Sequence, residues 1–360
     1  MLKQAMWVGS GSGCYIHHHH YHHFRNPCNL PPSSTSPAAV AMSASPQSKQ
    51  SHISVNTPII AESYPIPLSP PLPAISKQIE LNRATIASSN SDLFSLSKTH
   101  TIYEDEWLLA VNKPQGIYCD SVLSSLQSQK TAPPELHLAN RLDRDTSGVM
   151  LITKSHKVAS NLVKAFTDHK VKKTYIALCT GVAPDWETIT VRSGHGRSKF
   201  GAWRVYAFSD AGRGLPGGSG VREMETSFEV LSINGKGSFR EVCESEFEGS
   251  SVVVVEEKGV KMDGGDGNEI VVRAYPRSGR THQIRLHCQY LGISIIGDVK
   301  YEGAYEWKGR VHDGHHLHAE TLSFDHPVTG IRVMLRAPLP QWVNQAFANS
   351  TNIDSVHEKS

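Results

Sequence analysis

Asn140-Arg141-Leu142-Asp143-Arg144-Asp145-Thr146-Ser147-Gly148, running straight into the apolar stretch Val149-Met150-Leu151-Ile152-Thr153, is where the reading of this chain turns. The turn at Thr146-Ser147-Gly148 delivers the backbone into a buried strand, so the charged residues before it sit at the strand's mouth. Two carboxylates, Asp143 and Asp145, and two guanidinium groups, Arg141 and Arg144, fall within five residues. Alone, such a cluster reads most simply as a solvated loop or a salt-bridge network. A second segment changes its meaning. Gly279-Arg280-Thr281-His282-Gln283-Ile284-Arg285-Leu286-His287 is a turn opening into a helix, with Arg285 one helical turn after Thr281. An arginine brought from there against a carboxylate of the first segment would keep that carboxylate ionised. An ionised carboxylate suits acid–base or nucleophilic work at a sugar carbon.

Outward from these segments the pattern is mostly strands. Trp107-Leu-Leu-Ala-Val-Asn112 reads as a buried strand stopped by Lys113-Pro114 and Gly116. Ser155 is a good N-cap for a helix carrying Val158, Leu162 and Phe166 on one face. Residues 174–179, 226–231, 271–275, 317–324 and 331–336 are strand-like. Thr281 is the expected cap of a short helix that buries Ile284, Cys288 and Leu291 and is closed by Gly292. Trp342 and Phe347 suggest a last helix. Strands without regular βαβ alternation predict an α+β fold: one catalytic domain on a mixed, largely antiparallel central sheet. A polar, glycine-rich stretch (192–220) and an acidic one (241–269) are read as insertions between strands.

Composition sets the outer limits. The chain has 360 residues, 39% of them hydrophobic, which is thin for two compact domains but fits one core diluted by other sequence. A formal charge of +2 argues against a polycation, though not against a local basic face. No apolar run reaches the roughly 18–20 residues that span a bilayer, so no membrane association is expected. The six cysteines form no CxxC pair and support neither a disulfide scaffold nor a cysteine zinc site. Residues 1–61 contain no Asp or Glu and are rich in Ser, Pro and His. That composition predicts a disordered leader over 1–95, a domain over 100–342 and a disordered tail over 343–360. An acid-free, Ser-rich leader has the character of an organellar transit peptide, pointing to chloroplast or mitochondrion. An ordinary disordered tail would leave the protein in cytoplasm or nucleus.

The ordered set of motifs resembles the RluA-type RNA pseudouridine synthases, and a plant-like member among them. Arg141-Leu-Asp143-Arg-Asp-Thr-Ser-Gly148 is similar to the family's signature. Val111-Asn-Lys-Pro114 with Gly116 resembles its opening strand, and Lys173-x-Tyr175-x-Ala177 its second motif. Residues 279–287 resemble the third, while Leu317-His-Ala319 and His326-Pro327 resemble its closing strands. The resemblance covers roughly residues 100–342 and implies the pseudouridine synthase fold. It makes Asp143 the catalytic aspartate, Arg285 the arginine that keeps it ionised and Tyr175 the tyrosine that stacks on a flipped base. Arg141 becomes the arginine that enters the vacated space. Arg144, Lys173, Arg280 and His282 are expected RNA contacts. The family usually has His where this chain has Asn140, which puts a proton-transfer role there in doubt.

The implied reaction converts uridine to pseudouridine in ribosomal or transfer RNA. The N1–C1′ bond breaks, the base turns and C5 is joined to C1′. Nothing is oxidised and nothing leaves, so neither cofactor nor metal is expected. The partner is RNA, acted on by a monomer, with the target nucleotide extruded into a pocket. Asp143 is preferred over Asp145 on the resemblance alone. Two other readings compete: a non-catalytic RNA-binding protein on the same scaffold, and a glycoside hydrolase using Asp143 and Asp145. The second suffers because its two acids share one short segment. The basic and aromatic residues His195, Arg197, Lys199, Trp203 and Arg204 read as RNA-contacting or as plain surface loop. His312, His315, His316 and His318 lack the acid or thiol partners of a metal site.

Overall fold

A computed structural model describes residues 63–129, 135–242, 251–259 and 267–348. Its first element is helix α1 (Ser76–Leu93), followed by strands β1 (Thr101–Glu104) and β2 (Leu108–Lys113) and helix α2 (Cys119–Gln127). Next come β3 (His137–Leu138), β4 (Ser147–Thr153), α3 (His156–Thr167) and the long β5 (Lys172–Gly181). The middle of the chain supplies β6 (Thr188–Arg197), β7 (Trp203–Tyr206), β8 (Arg222–Ile233), β9 (Lys236–Gly237) and β10 (Val252–Val254). β11 (Asn268–Pro276) leads to α4 (Gln283–Tyr290) and β12 (Ile293–Ile295). A small hairpin, β13 (Glu306–Trp307) and β14 (Arg310–Val311), precedes β15 (Leu317–Asp325), β16 (Arg332–Arg336) and α5 (Gln341–Ala348).

The main sheet runs β1-β2-β4-β15-β5-β11-β8-β6-β10. Only β4 with β15 and β6 with β10 pair in parallel; the other named pairs are antiparallel. The fold is therefore α+β, with a mixed, largely antiparallel sheet.

Strand alternation sorts the core. On β4, Val149 and Leu151 pack with Val158 and Leu162 of α3, while Met150 and Ile152 face Val122 and Leu126 of α2. On β5, Ala177 and Cys179 meet Ile284 and Cys288 of α4, while Ile176 and Leu178 meet Val343 and Ala346 of α5. Each half of the sheet is thus covered on both faces. The halves join at the β4–β15 pair, where Gly148 lies opposite Ala319. Gly148 has φ +109°, and a Cβ there would collide with the Ala319 backbone oxygen. The signature's terminal glycine is what lets the two halves close.

Several expectations shift. Ser155 caps α3 as expected, its side chain accepting from the Val158 N–H. Thr281 does not cap α4: the N-cap is His282, in the left-handed region at φ 59°. Gln283 through Gln289 are all buried, so α4 is a core helix and not an amphipathic one. The glycine-rich stretch 192–220 is no mere insertion, because β6 continues to Arg197 and pairs with β7. Nor does the leader stay unfolded to residue 95. Helix α1 forms, yet it buries Ser76, Arg83 and Ala87, so it docks through small and polar side chains. Without an apolar stripe, its sequence looks disordered. The tail also begins later than residue 343, since Val343 and Ala346 are buried on α5. The rest of the leader with its histidine tract, the end of the tail and most of the acidic stretch lie outside the described residues.

Candidate active site

A cleft of about 420 Å³ opens where the loop before β4, the start of β5 and the turn into α4 converge. That is the size range of a small-ligand pocket, roughly 300–1,000 Å³. Asp143, Tyr175, Arg141, Lys173, Arg280, His282 and Arg285 all line it.

Its centre is a chain of three charged groups. The Arg285 Nη1 donates to Asp143 Oδ2 at 2.7 Å, while its Nε and Nη2 donate to the two oxygens of Asp298 at 2.6 and 2.8 Å. Arg285 and Asp298 are almost fully buried, whereas Asp143 keeps 29% of its side chain exposed to the cleft. Burial would raise the Asp143 carboxyl, but the Arg285 guanidinium outweighs it and holds the group well below the usual carboxylate range. The result is an anion facing a pocket, fixed by a cation that is itself fixed from behind. His282 and Tyr301 complete the wall. The His282 Nδ1 pairs with the Tyr301 hydroxyl at 2.7 Å, and its Nε2 lies 3.7 Å from Asp143. Burial, helped by Arg285, pushes His282 down to about 3, so it is neutral near pH 7. Tyr301 also lies under the Arg285 guanidinium, 5.0 Å from its ring centre. Tyr175 lines the cleft, with burial and the nearby Asp143 raising its hydroxyl far above the normal tyrosine range.

The loop carrying Asp143 and the turn into α4 are held by a further set of polar side chains. Lys113 is completely buried, and its ammonium donates to the carbonyls of Pro114, Ile117 and Arg144 at 2.8–2.9 Å. Burial pushes it down to about 8. Asn140 brackets β4, accepting from the Leu151 N–H at 2.7 Å and donating to the Val149 carbonyl. Its part here is to hold the loop, which needs no titratable group. Gln283 ties the turn before α4 to β8 through Ser278, Glu225 and Thr226. His287 is buried between Ser193 and Thr226, a structural position.

Arg144 departs from expectation. It grips Asp145 with two hydrogen bonds at 2.6 and 2.7 Å, faces Glu80 of α1 and does not line the cleft. A guanidinium occupied on both sides braces the loop against α1. Asp145, 4% exposed, is consumed by the same pair, and only Asp143 of the two acids faces the cleft. Arg141 of the cleft lining is 74% exposed, and Lys170 and Arg277, next in sequence to the lining residues His169 and Pro276, are 71% and 65% exposed. Lys173 sits deeper, donating to the Ser278 carbonyl at 2.9 Å, and Arg280 donates to the Glu223 carbonyl. His195 is buried against the Thr281 carbonyl and stacks on Trp203, so it packs the site's wall. The C-terminal histidines are dispersed: His315 pairs with Thr146, His318 with Ser147 and His312 with His316. Among the described residues no group of three or more His, Cys, Asp or Glu has the arrangement to hold a metal ion.

Sequence reading missed Asp298, Tyr301 and Glu80. For Asp298 a signal existed, a lone acid closing the apolar run Ile293-Ser-Ile-Ile-Gly297.

Residues 107–290 match the family model described as RNA pseudouridylate synthase. RNA pseudouridine synthase 1 of Arabidopsis thaliana is 62% identical over 281 residues, spanning 78% of this chain and 87% of that protein. This chain belongs to the RNA pseudouridine synthase family. The protein of the same name from Oryza sativa subsp. japonica is 60% identical over 291 residues, 78% of this chain and 84% of the relative. A more distant RluA-type relative, ribosomal large subunit pseudouridine synthase C of Haemophilus ducreyi, is 26% identical over 277 residues, 74% of this chain and 73% of its own. Among solved structures, human RNA pseudouridylate synthase domain containing 1 aligns with a TM-score of 0.48 at 21% identity, covering 69% of this chain and 87% of that one. An RNA pseudouridine synthase is an isomerase whose substrate is RNA, and that class is neither a glycosidase nor a passive RNA binder. The matched region holds Asp143, Tyr175 and Arg285; α1 and Asp298 lie outside it.

Proposed function

We propose that this RNA pseudouridine synthase uses Asp143 as its catalytic carboxylate, acting as a monomer on a uridine of ribosomal or transfer RNA. The observation that carries the reading is the 2.7 Å bond from Arg285 to Asp143 at the floor of the cleft lined by Tyr175. Breaking the N1–C1′ bond requires an ionised carboxylate at the ribose, whether it adds to C1′ or takes the C2′ proton. The buried Arg285 supplies that ionisation. Tyr175 provides a flat apolar face for the detached base, which must turn before C5 bonds to C1′ and gives up its proton while N1 gains one. The exposed Arg141 stands at the mouth, where an extruded nucleotide leaves a gap in the stack. Arg280 and the deeper Lys173 in the cleft, with the exposed Arg277 and Lys170 outside it, form a basic face suited to phosphates. The ribosomal name of the bacterial relative favours ribosomal RNA, and the acid-free leader favours an organelle.

Asp143→Asn keeps the shape and removes the charge. It is expected to abolish tritium release from 5-tritiated uridine in RNA while binding that RNA normally. Full activity in this variant would sink the assignment. Pseudouridine mapping of organellar and cytosolic RNA, with and without the protein, identifies target and compartment.

A further inference from the structure

We infer that Glu80 of helix α1 is a positioning residue for the active site, tying the loop that carries Asp143 to the loop that carries Asp298. The helix lies outside the matched family region and contributes nothing to the cleft. Its polar contacts nevertheless converge on the two loops that build it. The Glu80 carboxylate, 18% exposed, pairs with Lys300 at 2.9 Å and with Arg144 at 3.4 Å. Arg144 immediately follows Asp143, and Lys300 lies two residues after Asp298. Three residues along the helix, Arg83 donates to the Gly297 carbonyl at 2.8 Å and to the His312 carbonyl, its guanidinium 5.7 Å from the Tyr305 ring centre. The backbone just before Asp298 is therefore held by the same helix.

Arg285 is what connects the two loops on the cleft side, bonded to Asp298 by two donors and to Asp143 by the third. Glu80 connects them from behind. Removing its charge takes away the anion that Lys300, Arg144 and Arg83 share, while Asp145 still holds Arg144. The ionic link between the Lys300 loop and the Asp143 loop is then lost, and the gathered cations repel in a partly buried setting. The loops then separate, and the Asp143 carboxylate moves relative to the ribose. Displacements of about 1 Å at a reacting group are enough to cost on the order of a hundredfold in rate. The helix's own composition fits this role. It buries Arg83 and small residues in place of an apolar stripe, so its docking is specified by charge and carbonyl contacts.

The inference rests on Asp143 being the catalytic group, so Asp143→Asn is run beside the test. In the full chain, Glu80→Gln is assayed by single-turnover tritium release, using 5-tritiated RNA from cells that lack the protein, with RNA affinity and thermal melting measured in parallel. The expected result is a turnover rate about tenfold lower, an RNA Kd within twofold of the parent and a protein folded at the assay temperature. A double-mutant cycle with Lys300→Met reads the mechanism. If Glu80 acts through the Lys300 loop, the combined variant is hardly slower than the worse single one. An unchanged rate in folded Glu80→Gln overturns the inference, as does weakened RNA binding at unchanged rate, or losses that multiply in the double variant. If Glu80→Gln melts below the assay temperature, Lys300→Met alone reads the same bridge, and a parental rate there overturns it. Should Asp143→Asn itself be active, the fault lies with the catalytic assignment and not with the bridge.

Discussion

Two arginine–carboxylate pairs stand within one short loop's reach of each other and behave as opposites. Arg285 meets Asp298 and Asp143 at 2.6–2.8 Å, with side chains 5%, 1% and 29% exposed. Arg141 meets Asp120 at 3.7 Å, with side chains 74% and 73% exposed. The chemistry is the same and the surroundings are not. In the first, the guanidinium donates through Nε and Nη2 to the buried Asp298 and through Nη1 to Asp143, so its place is over-determined. In the second, water competes for both ions and the contact barely restrains either. Burial makes one arginine a fixed part of the machinery and leaves the other a movable arm at the cleft mouth. An enzyme that must hold a carboxylate still while a nucleotide enters and leaves needs one of each.

The comparison breaks most visibly at Arg285. Arg285→Met strands Asp298 as a buried, uncompensated anion and releases Asp143, at an expected cost of about 3–5 kcal/mol of stability by denaturant unfolding. Product formation should vanish with it. A stable, active variant would show that the buried chain is ornamental. A smaller effect separates the fixed from the movable on the RNA side. Burial, with Arg280 nearby, pushes Lys173 down to about 8. Its charge is present below that pH and lost as pH rises through it, so RNA affinity should fall between pH 7 and 9 on the order of 3- to 10-fold, about one phosphate contact. Lys173→Met should bind weakly and without that step; an identical pH profile in the variant refutes the assignment. The smallest change is expected at Arg141→Met, which should alter unfolding free energy by less than about 1 kcal/mol. A loss approaching that of Arg285→Met would erase the distinction.

Asp143, Tyr175 and Arg285 were legible in the sequence because the short runs that carry them resemble the family's ordered motifs; local pattern by itself left Asp143 and Asp145 equivalent. Asp298 was less so, since a lone acid after Ile293-Ser-Ile-Ile-Gly297 reads as a turn until Arg285 is found beside it. The placing of Arg144 was not legible either. Beyond its neighbour Asp145, its second partner Glu80 is 64 residues away in sequence, on a helix whose polar face gives no periodic signal. Lys113 belongs here too, because nothing local says that a lysine before a proline will be caged by three carbonyls.

Local sequence determined the strands, the helix that Ser155 caps and the family whose chemistry the chain performs, because side-chain alternation and turn chemistry act over a few residues. Tertiary structure alone decided which aspartate faces the cleft, which arginine is buried and that α1 folds at all. Those outcomes depend on what lies on the other side of each charge, and the partner comes from a distant part of the chain.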